Sequence, residues 1–359
     1  MKEDDKKPRI YKQEGGNFAP LPFECSYTLT PEESCEISRL AESLPTPTLR
    51  EVDDDHFMGD VLVTSDELPR PLRERLSRFR YNSNIYGTLL IRGLQDDEPP
   101  LTPDAGEPDW DEPLPLGDKA MLLVMSRLGD LRAYIDEKFG APRQSVYPLR
   151  NTEYRQENSG SLSDLLGHTE DGFLLDKCDF LGLFCRRADH EGVALTGTAS
   201  ATRALRLISW QVIEWLSKPL YVVGVPTSFV PEGGGKLLWS PPMPVLTGDL
   251  RTPQMTIDLD AMRGLTREAE VALQVFARAL MSVMVYCALA PGDLLAIDNL
   301  TAIHARTHFR PRYDGRDRWL SRVKVALNPR ASAVSRPRGS RVCDPVILEI
   351  EGGTVSTAS

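Results

Sequence analysis

The chain has 359 residues, of which 41% are apolar and 26% charged, and 42 Lys+Arg against 52 Asp+Glu leave a net charge of -10. This is a globular composition, long enough for a sizeable core, and it excludes collagen-like, disordered and coiled-coil architectures. The acidic balance argues against nucleic acid or an anionic membrane as partner, and no apolar run approaches the ~18 residues of a membrane span.

Residues 1–22 read as a polar, proline-bearing lead-in. Met1 to Lys7 is charged with no apolar stretch behind it, so no signal peptide is expected and the expected compartment is the cytoplasm. Thr30, Pro31 and Glu33 then spell a capped helix start, with the helix running to about Leu44. Tyr86–Ile91 reads as a short strand. The stretch 95–117 carries six prolines and many acids, too little apolar surface for core, and reads as a surface insert or an active-site lid. An amphipathic helix is expected over 117–139, ending at Gly140. Further helices are expected over Ala201–Ser217 and, N-capped by Thr266, over 266–288.

Strands are expected at Phe180–Phe184, Leu220–Val225, Met255–Leu259, Leu294–Ile297 and Trp319–Ala326. They do not alternate regularly with helices, which speaks against a Rossmann fold or TIM barrel and for a mainly β jelly roll with helical decoration. One domain is expected over 23–330, with a polar tail at 331–359. The six cysteines (Cys25, Cys35, Cys178, Cys185, Cys287, Cys343) form no CxxC pair and read as free thiols of a reducing compartment.

Only five histidines occur: His56, His168, His190, His304 and His308. His168 and Glu170 stand two apart in LGHTEDGF. On a strand they would face one point and supply two ligands of a facial triad, the arrangement that binds non-heme iron and leaves positions open. His304, after the strand LLAID, is the candidate third ligand, and Arg318, fourteen residues on, could grip a carboxylate through two parallel N–H bonds. His304 with His308 has helical zinc-site spacing, but Pro311 and the nearby turn residues speak against a helix there. His56 and His190 read as solvated, and Gly233–Gly235 as a turn without the Lys-Ser/Thr of a phosphate loop.

The stretches HTEDGF (168–173), GVALTGTAS (192–200), AIDNLTAIHAR (296–306) and FRPRYDGRDRWLSRV (309–323) resemble the Fe(II)/2-oxoglutarate-dependent oxygenases of the clavaminate synthase-like and taurine dioxygenase superfamily. The likeness spans roughly residues 20 to 330 and lies nearest the free amino-acid hydroxylases. It implies a double-stranded β-helix. His168, Glu170 and His304 would be the iron ligands. Arg318 would bind the distal carboxylate of 2-oxoglutarate, with Thr196 helping. Arg322 would reach the substrate carboxylate, Gln144 the α-amino group, and Glu170 would also face the substrate. The Gln156–Ser159 stretch, with Glu157 and Ser159, resembles a lid and substrate-binding segment. The implied chemistry is oxidative decarboxylation of 2-oxoglutarate by O2, coupled to hydrogen-atom abstraction and hydroxylation. Glu170 speaks against the halogenase variant, in which a small residue replaces this carboxylate.

Arginine hydroxylases of this group are expected to hold the guanidinium with two acids in a Gly-Asp-x-Asp loop. Here the segment is Gly248-Asp249-Leu250-Arg251, so Asp249 matches and Arg251 stands where the second acid would be. A cation there repels a cationic side chain unless it turns outward. Glu157, an acid where an apolar residue is expected, pulls the other way. The expectation is hydroxylation at Cβ or Cγ of a free polar L-amino acid with an arginine-like, citrulline-like or amide side chain, in natural-product biosynthesis. The alternatives are a carrier-protein-tethered aminoacyl group, a desaturation, or, in a different class, a metal-free jelly-roll binding module.

Overall fold

The structure is a computed structural model that describes residues 11–13, 16–174, 176–226, 239–337, 339–344, 350–351 and 354–355. The Gly233–Gly235 turn lies outside the described residues. Twelve strands build the core: β1 Ser26–Thr28, β2 Thr88–Arg92, β3 Asp130–Tyr134, β4 Gln144–Val146, β5 Leu165–His168, β6 Phe180–Arg187, β7 Leu195–Ser200, β8 Val285–Ala288, β9 Leu294–Asp298, β10 Ala302–Arg306, β11 Trp319–Ala326 and β12 Val342–Cys343. The major sheet has the order β12-β3-β11-β6-β9-β2-β1, with β4 also paired to β11. The minor sheet has the order β8-β7-β10-β5. This is the double-stranded β-helix that the resemblance implied.

The strands read as continuous apolar runs because both of their faces are covered. On β6, Leu181, Leu183 and Cys185 point between the sheets, where they meet Leu90, Leu295, Ile297 and Leu320. Phe180 and Phe184 point outward into a layer built by helices Pro31–Ser43, Asp55–Ser65, Arg70–Asn82 and Leu116–Met125. Gly182 permits the closest approach of this layer, since a Cβ there would stand 2.9 Å from the Met125 sulfur. The outer face of the minor sheet is covered by Arg267–Ser282 and its neighbours.

Several expected elements differ in extent. The helix starting at Pro31 has the full capping box of Thr30 and Glu33, and that starting at Arg267 has Thr266 accepting from the Ala269 N–H. The expected 117–139 helix instead stops at Met125, is buried on every side, and is followed by strand β3. Gly129 packs on the Ala326 carbonyl, where a Cβ would come within 2.6 Å, and the chain there turns to pair with β11. Tertiary pairing overrides the helical periodicity. The 201–217 helix breaks at Ile208-Ser209 into Ala201–Ala204, a 3-10 turn and Trp210–Leu216. The 266–288 helix ends at Ser282, and Val285–Ala288 becomes β8. Of the expected 255–259 strand only Gln254–Met255 forms, with one further bridge from Asp258 to His168. The helices Asp55–Ser65 and Arg70–Asn82 were not anticipated. Asp54 caps the first through the His56 and Phe57 N–H groups. Within the polar tail, Val342–Cys343 adds to the sheet edge parallel to β3.

Candidate active site

His168 and His304 stand directly opposite each other in the antiparallel pair of β5 and β10, with ring centroids 4.3 Å apart. Glu170 joins them from a turn, not from the strand. β5 ends at His168, and Asp171 takes a left-handed φ of 52°. The i,i+2 strand alternation therefore does not bring Glu170 to the histidines. Asn299, at the end of β9, does: its Oδ1 accepts the Glu170 N–H at 2.6 Å, and its Nδ2 donates to the Glu170 carbonyl at 3.1 Å. One donor atom from each of His168, Glu170 and His304 lies within 4.8 Å of the others.

The atoms fit a divalent metal. His168 Nδ1 bonds the Leu166 carbonyl at 2.8 Å, which places the ring proton there and turns the Nε2 lone pair inward. Burial, then the neighbouring His168, pushes His304 down to about 4, which keeps its imidazole neutral and able to ligate at pH 7. Glu170 Oε2 is buried with no hydrogen-bond partner among the described residues, while His304 Nε2 stands 3.3 Å away and His168 Nε2 4.0 Å away. An unpartnered carboxylate oxygen facing two imidazoles is what a bound cation satisfies.

The other oxygen of Glu170 is fully engaged. Oε1 accepts from Arg322 Nη1 at 2.6 Å and lies 3.3 Å from Lys324 Nζ. Burial alone would raise the Glu170 carboxyl, but Arg322 and Lys324 outweigh it and hold the group well below the usual carboxylate range. The network continues outward. Arg322 Nη2 pairs with Glu137 Oε1 at 2.5 Å, and Nε donates to Gln144 Oε1 at 2.9 Å. Gln144 Nε2 donates to Glu137 at 3.2 Å. Lys324 also bonds Glu137, and Asp171 at 2.7 Å.

Arg318 is different. Its guanidinium is buried with no carboxylate partner among the described residues, and burial lowers its pKa. It lines a cavity with Thr196, Asn158, His304, Arg306 and Arg322. A buried arginine lining a cavity fits a ligand carboxylate such as that of 2-oxoglutarate. Arg306, also buried, donates to the Gly160 and Ser163 carbonyls and so straps the segment carrying Glu157 and Ser159 to β10.

The remaining expected residues are more dispersed. Ser159 is buried and bonds Thr152 Oγ1 at 2.8 Å, while Glu157 is exposed and pairs with Arg155 at 3.6 Å. Asp249 and Arg251 sit on an exposed turn and pair with each other at 2.6 Å. Arg251 thus turns to solvent and neutralises Asp249. His308 bonds Asp164 at 2.8 Å, His56 is exposed, and His190, expected solvated, instead faces Asp314 and Asp317 at 3.4 and 3.5 Å. Asp317 closes the turn on which His190 packs by accepting two backbone N–H groups, so the histidine meets an acid already held in place. Sequence reasoning missed Glu137, Lys324 and Asn299. Lys324 has a signal, the spacing Arg318, Arg322, Lys324 on one strand face. Glu137 has none, because it arrives from a loop in which Lys138 and Phe139 both have positive φ.

Three converging donor atoms, beside a cavity lined by a buried arginine that has no carboxylate partner among the described residues, fit the class of metal- and oxoacid-dependent oxygenase. No family model matches the chain. It is 34% identical over 311 residues to L-asparagine oxygenase of Streptomyces coelicolor, covering 86% of this chain and 92% of that one. It is 32% identical over 317 residues to L-lysine 3-hydroxylase of Catenulispora acidiphila, covering 88% and 87%. It is 31% identical over 296 residues to clavaminate synthase 2 of Streptomyces clavuligerus, covering 81% and 89%. Asparagine oxygenase solved with Fe(II), 3-hydroxyasparagine and succinate superposes with a TM-score of 0.82 at 33% identity, covering 89% and 99%. The non-heme iron oxygenase OrfP with Fe and alpha-ketoglutaric acid gives 0.78 at 27% identity, covering 89% and 99%. The chain belongs to the clavaminate synthase-like family of Fe(II)- and 2-oxoglutarate-dependent oxygenases, as one of its amino-acid hydroxylases.

Proposed function

We propose that this chain hydroxylates an unactivated C–H bond, at Cβ or Cγ, of a free polar L-amino acid in natural-product biosynthesis. His168, Glu170 and His304 hold the iron, and the bound iron with 2-oxoglutarate and O2 supplies the oxidising chemistry. Arg318 binds the distal carboxylate of 2-oxoglutarate, and Thr196 lies against it. Arg322 takes the substrate α-carboxylate. Glu137, Gln144 and Glu170 are the acceptors beside Arg322, so they receive the α-ammonium. The segment strapped by Arg306 covers the cavity and excludes water.

The observation that carries this reading is the buried network around Arg322. A zwitterion inserts into it without changing its net charge: the carboxylate replaces acceptors on Arg322, and the ammonium takes the acceptors released. A carrier-tethered acyl group has no carboxylate and would leave a buried guanidinium short of a partner, which is costly. The free amino acids named by the relatives agree with this. Of the side chain, the self-neutralised Asp249–Arg251 turn favours a neutral amide or ureido group over a cation. No described helix is long and apolar enough to cross a membrane, and the six cysteines are free, in keeping with a cytoplasmic setting.

The test is anaerobic. Fe(II) and 2-oxoglutarate are added, the weak visible charge-transfer band of the chelate is recorded, and L-amino acids, citrulline and ornithine are added singly. The expected result is a band that shifts with one of them. A band that no free amino acid shifts would move the substrate to a tethered form. No band, with His168→Ala behaving like wild type, would leave only a metal-free binding module.

A further inference from the structure

The proline- and acid-rich stretch 95–117 docks by side-chain and backbone bonds at both ends and in its middle. Its ends are clasped by Asp96, which accepts the Gly117 N–H at 2.9 Å, and Asp97, which accepts that of Leu116 at 2.8 Å. Its middle docks on the turn that precedes Arg318. The Thr102 N–H donates to the Gly315 carbonyl at 2.7 Å, and Thr102 Oγ1 to that of Asp317 at 3.2 Å. Asp317 in turn accepts the Arg312 and Tyr313 N–H groups at 2.7 Å each.

Arg187 joins these parts. It ends β6 opposite Trp319, and the register slips between Trp319 and Leu320, so Arg186 is the extra residue of a β-bulge. Arg186 Nε donates to Asp96 at 2.9 Å. The Arg187 guanidinium makes four bonds: Nη1 to Thr102 Oγ1 at 3.0 Å and the Gly315 carbonyl at 3.2 Å, Nη2 to the Pro99 and Pro100 carbonyls at 2.8 and 2.9 Å. One planar fork thus bolts the insert to the turn. Arg318 needs such a mount. It is buried, faces the like charge of Arg306, and among the described residues has no carboxylate in hydrogen-bond or ion-pair contact to hold it in place.

We propose that Arg187 is a positioning residue for the cosubstrate: through Thr102 and Gly315 it fixes the backbone from which Arg318 reaches 2-oxoglutarate, and the 95–117 insert is a buttress for that turn. The proposal rests on the assignment of Arg318 to 2-oxoglutarate. Loss of residues that orient a binding group costs about 10-fold or more. Arg187→Met should therefore raise the KM for 2-oxoglutarate about 10-fold, while kcat and the KM for the amino acid move by less than about two-fold. Thr102→Val keeps the fold and the backbone bond, loses one side-chain link, and should shift the same KM by a smaller factor. Arg187→Lys keeps the charge but not the fork, and should behave like Arg187→Met. In a second readout, the rise in melting temperature on adding Mn(II) with 2-oxoglutarate should shrink in the variants, whereas that from Mn(II) alone should not. An unchanged 2-oxoglutarate KM in Arg187→Met and Thr102→Val, equal rises in both KM values, or full activity of Arg187→Lys would each overturn the proposal. Arg318→Met, assayed beside them, separates the two ideas: if it also leaves the 2-oxoglutarate KM unchanged, the cosubstrate assignment itself fails.

Discussion

Arg318 and Arg322 stand four residues apart on the same run of chain, both buried, yet their surroundings are opposite. Arg322 is enclosed by Glu137, Glu170 and Gln144, and the charges of Glu137, Glu170 and Asp171 overcome burial and raise its pKa. Arg318 has no acid partner among the described residues, and burial lowers its pKa. The difference separates an arginine that is part of the fold's own charge balance from one whose balance is left for a ligand to complete. Lys177 belongs with Arg318 in this respect. Among the described residues its ammonium bonds the Met255 and Asn299 carbonyls, at 2.8 and 3.1 Å, and no carboxylate, and burial lowers its pKa to about 8.

The contrast breaks most sharply in stability. Arg322→Met strands Glu137 and Glu170 as buried acids beside Lys324 alone, and should cost about 3–5 kcal/mol in denaturant unfolding of the metal-free protein. Arg318→Met removes a buried cation that has no acid partner among the described residues and should leave the same unfolding curve unchanged or shifted to higher denaturant. Equal destabilisation by the two variants would erase the distinction. In steady-state kinetics Arg318→Met should raise the 2-oxoglutarate KM on the order of 100-fold, the scale of losing one side of a buried charge pair.

Lys177 sharpens the comparison through pH. Its folded pKa lies below its ordinary value of 10.5, so the folded protein releases this proton before the unfolded chain does. This contribution to stability therefore grows as pH rises from about 8 to 10.5, by at most about 1.4 kcal/mol per pH unit, and is absent below that window. Unfolding curves across this range should show the slope, and Lys177→Met should flatten it. The smallest effect is expected at the surface. Arg251→Ala exposes the Asp249 carboxylate but should not move the melting temperature, because the pair is solvated. What it should change is preference, raising kcat/KM for arginine relative to asparagine. An unchanged ratio would remove this turn from substrate selection.

The donor set was legible in the sequence because few histidines compete and each sits in a distinctive local stretch. His168, Glu170, His304 and Arg318 could be chosen by residue type and spacing; the structure brings donor atoms of the first three within 4.8 Å of one another, and His304 and Arg318 line one cavity. The reason given for Glu170 was wrong in detail, since a turn clamped by Asn299 delivers it where strand alternation was expected. Elements whose local pattern agrees with their packing, such as the Thr30-capped helix and β11, were legible to within a residue or two. The 117–139 helix was not, because its second half is taken by pairing with β11. Nor was the role of 95–117, whose composition says only that it is not core.

By itself the sequence determined the β-rich class and the four candidate residues of the site, because these depend on residue type and on spacing within short stretches. Only the tertiary structure decided which acids enclose Arg322, that Arg318 has no acid partner among the described residues, and that Arg187 bolts the 95–117 insert to its turn. Those pairings join residues from 85 to 185 positions apart, and a buried charge is satisfied or left open by strand register and loop path, which no local pattern encodes.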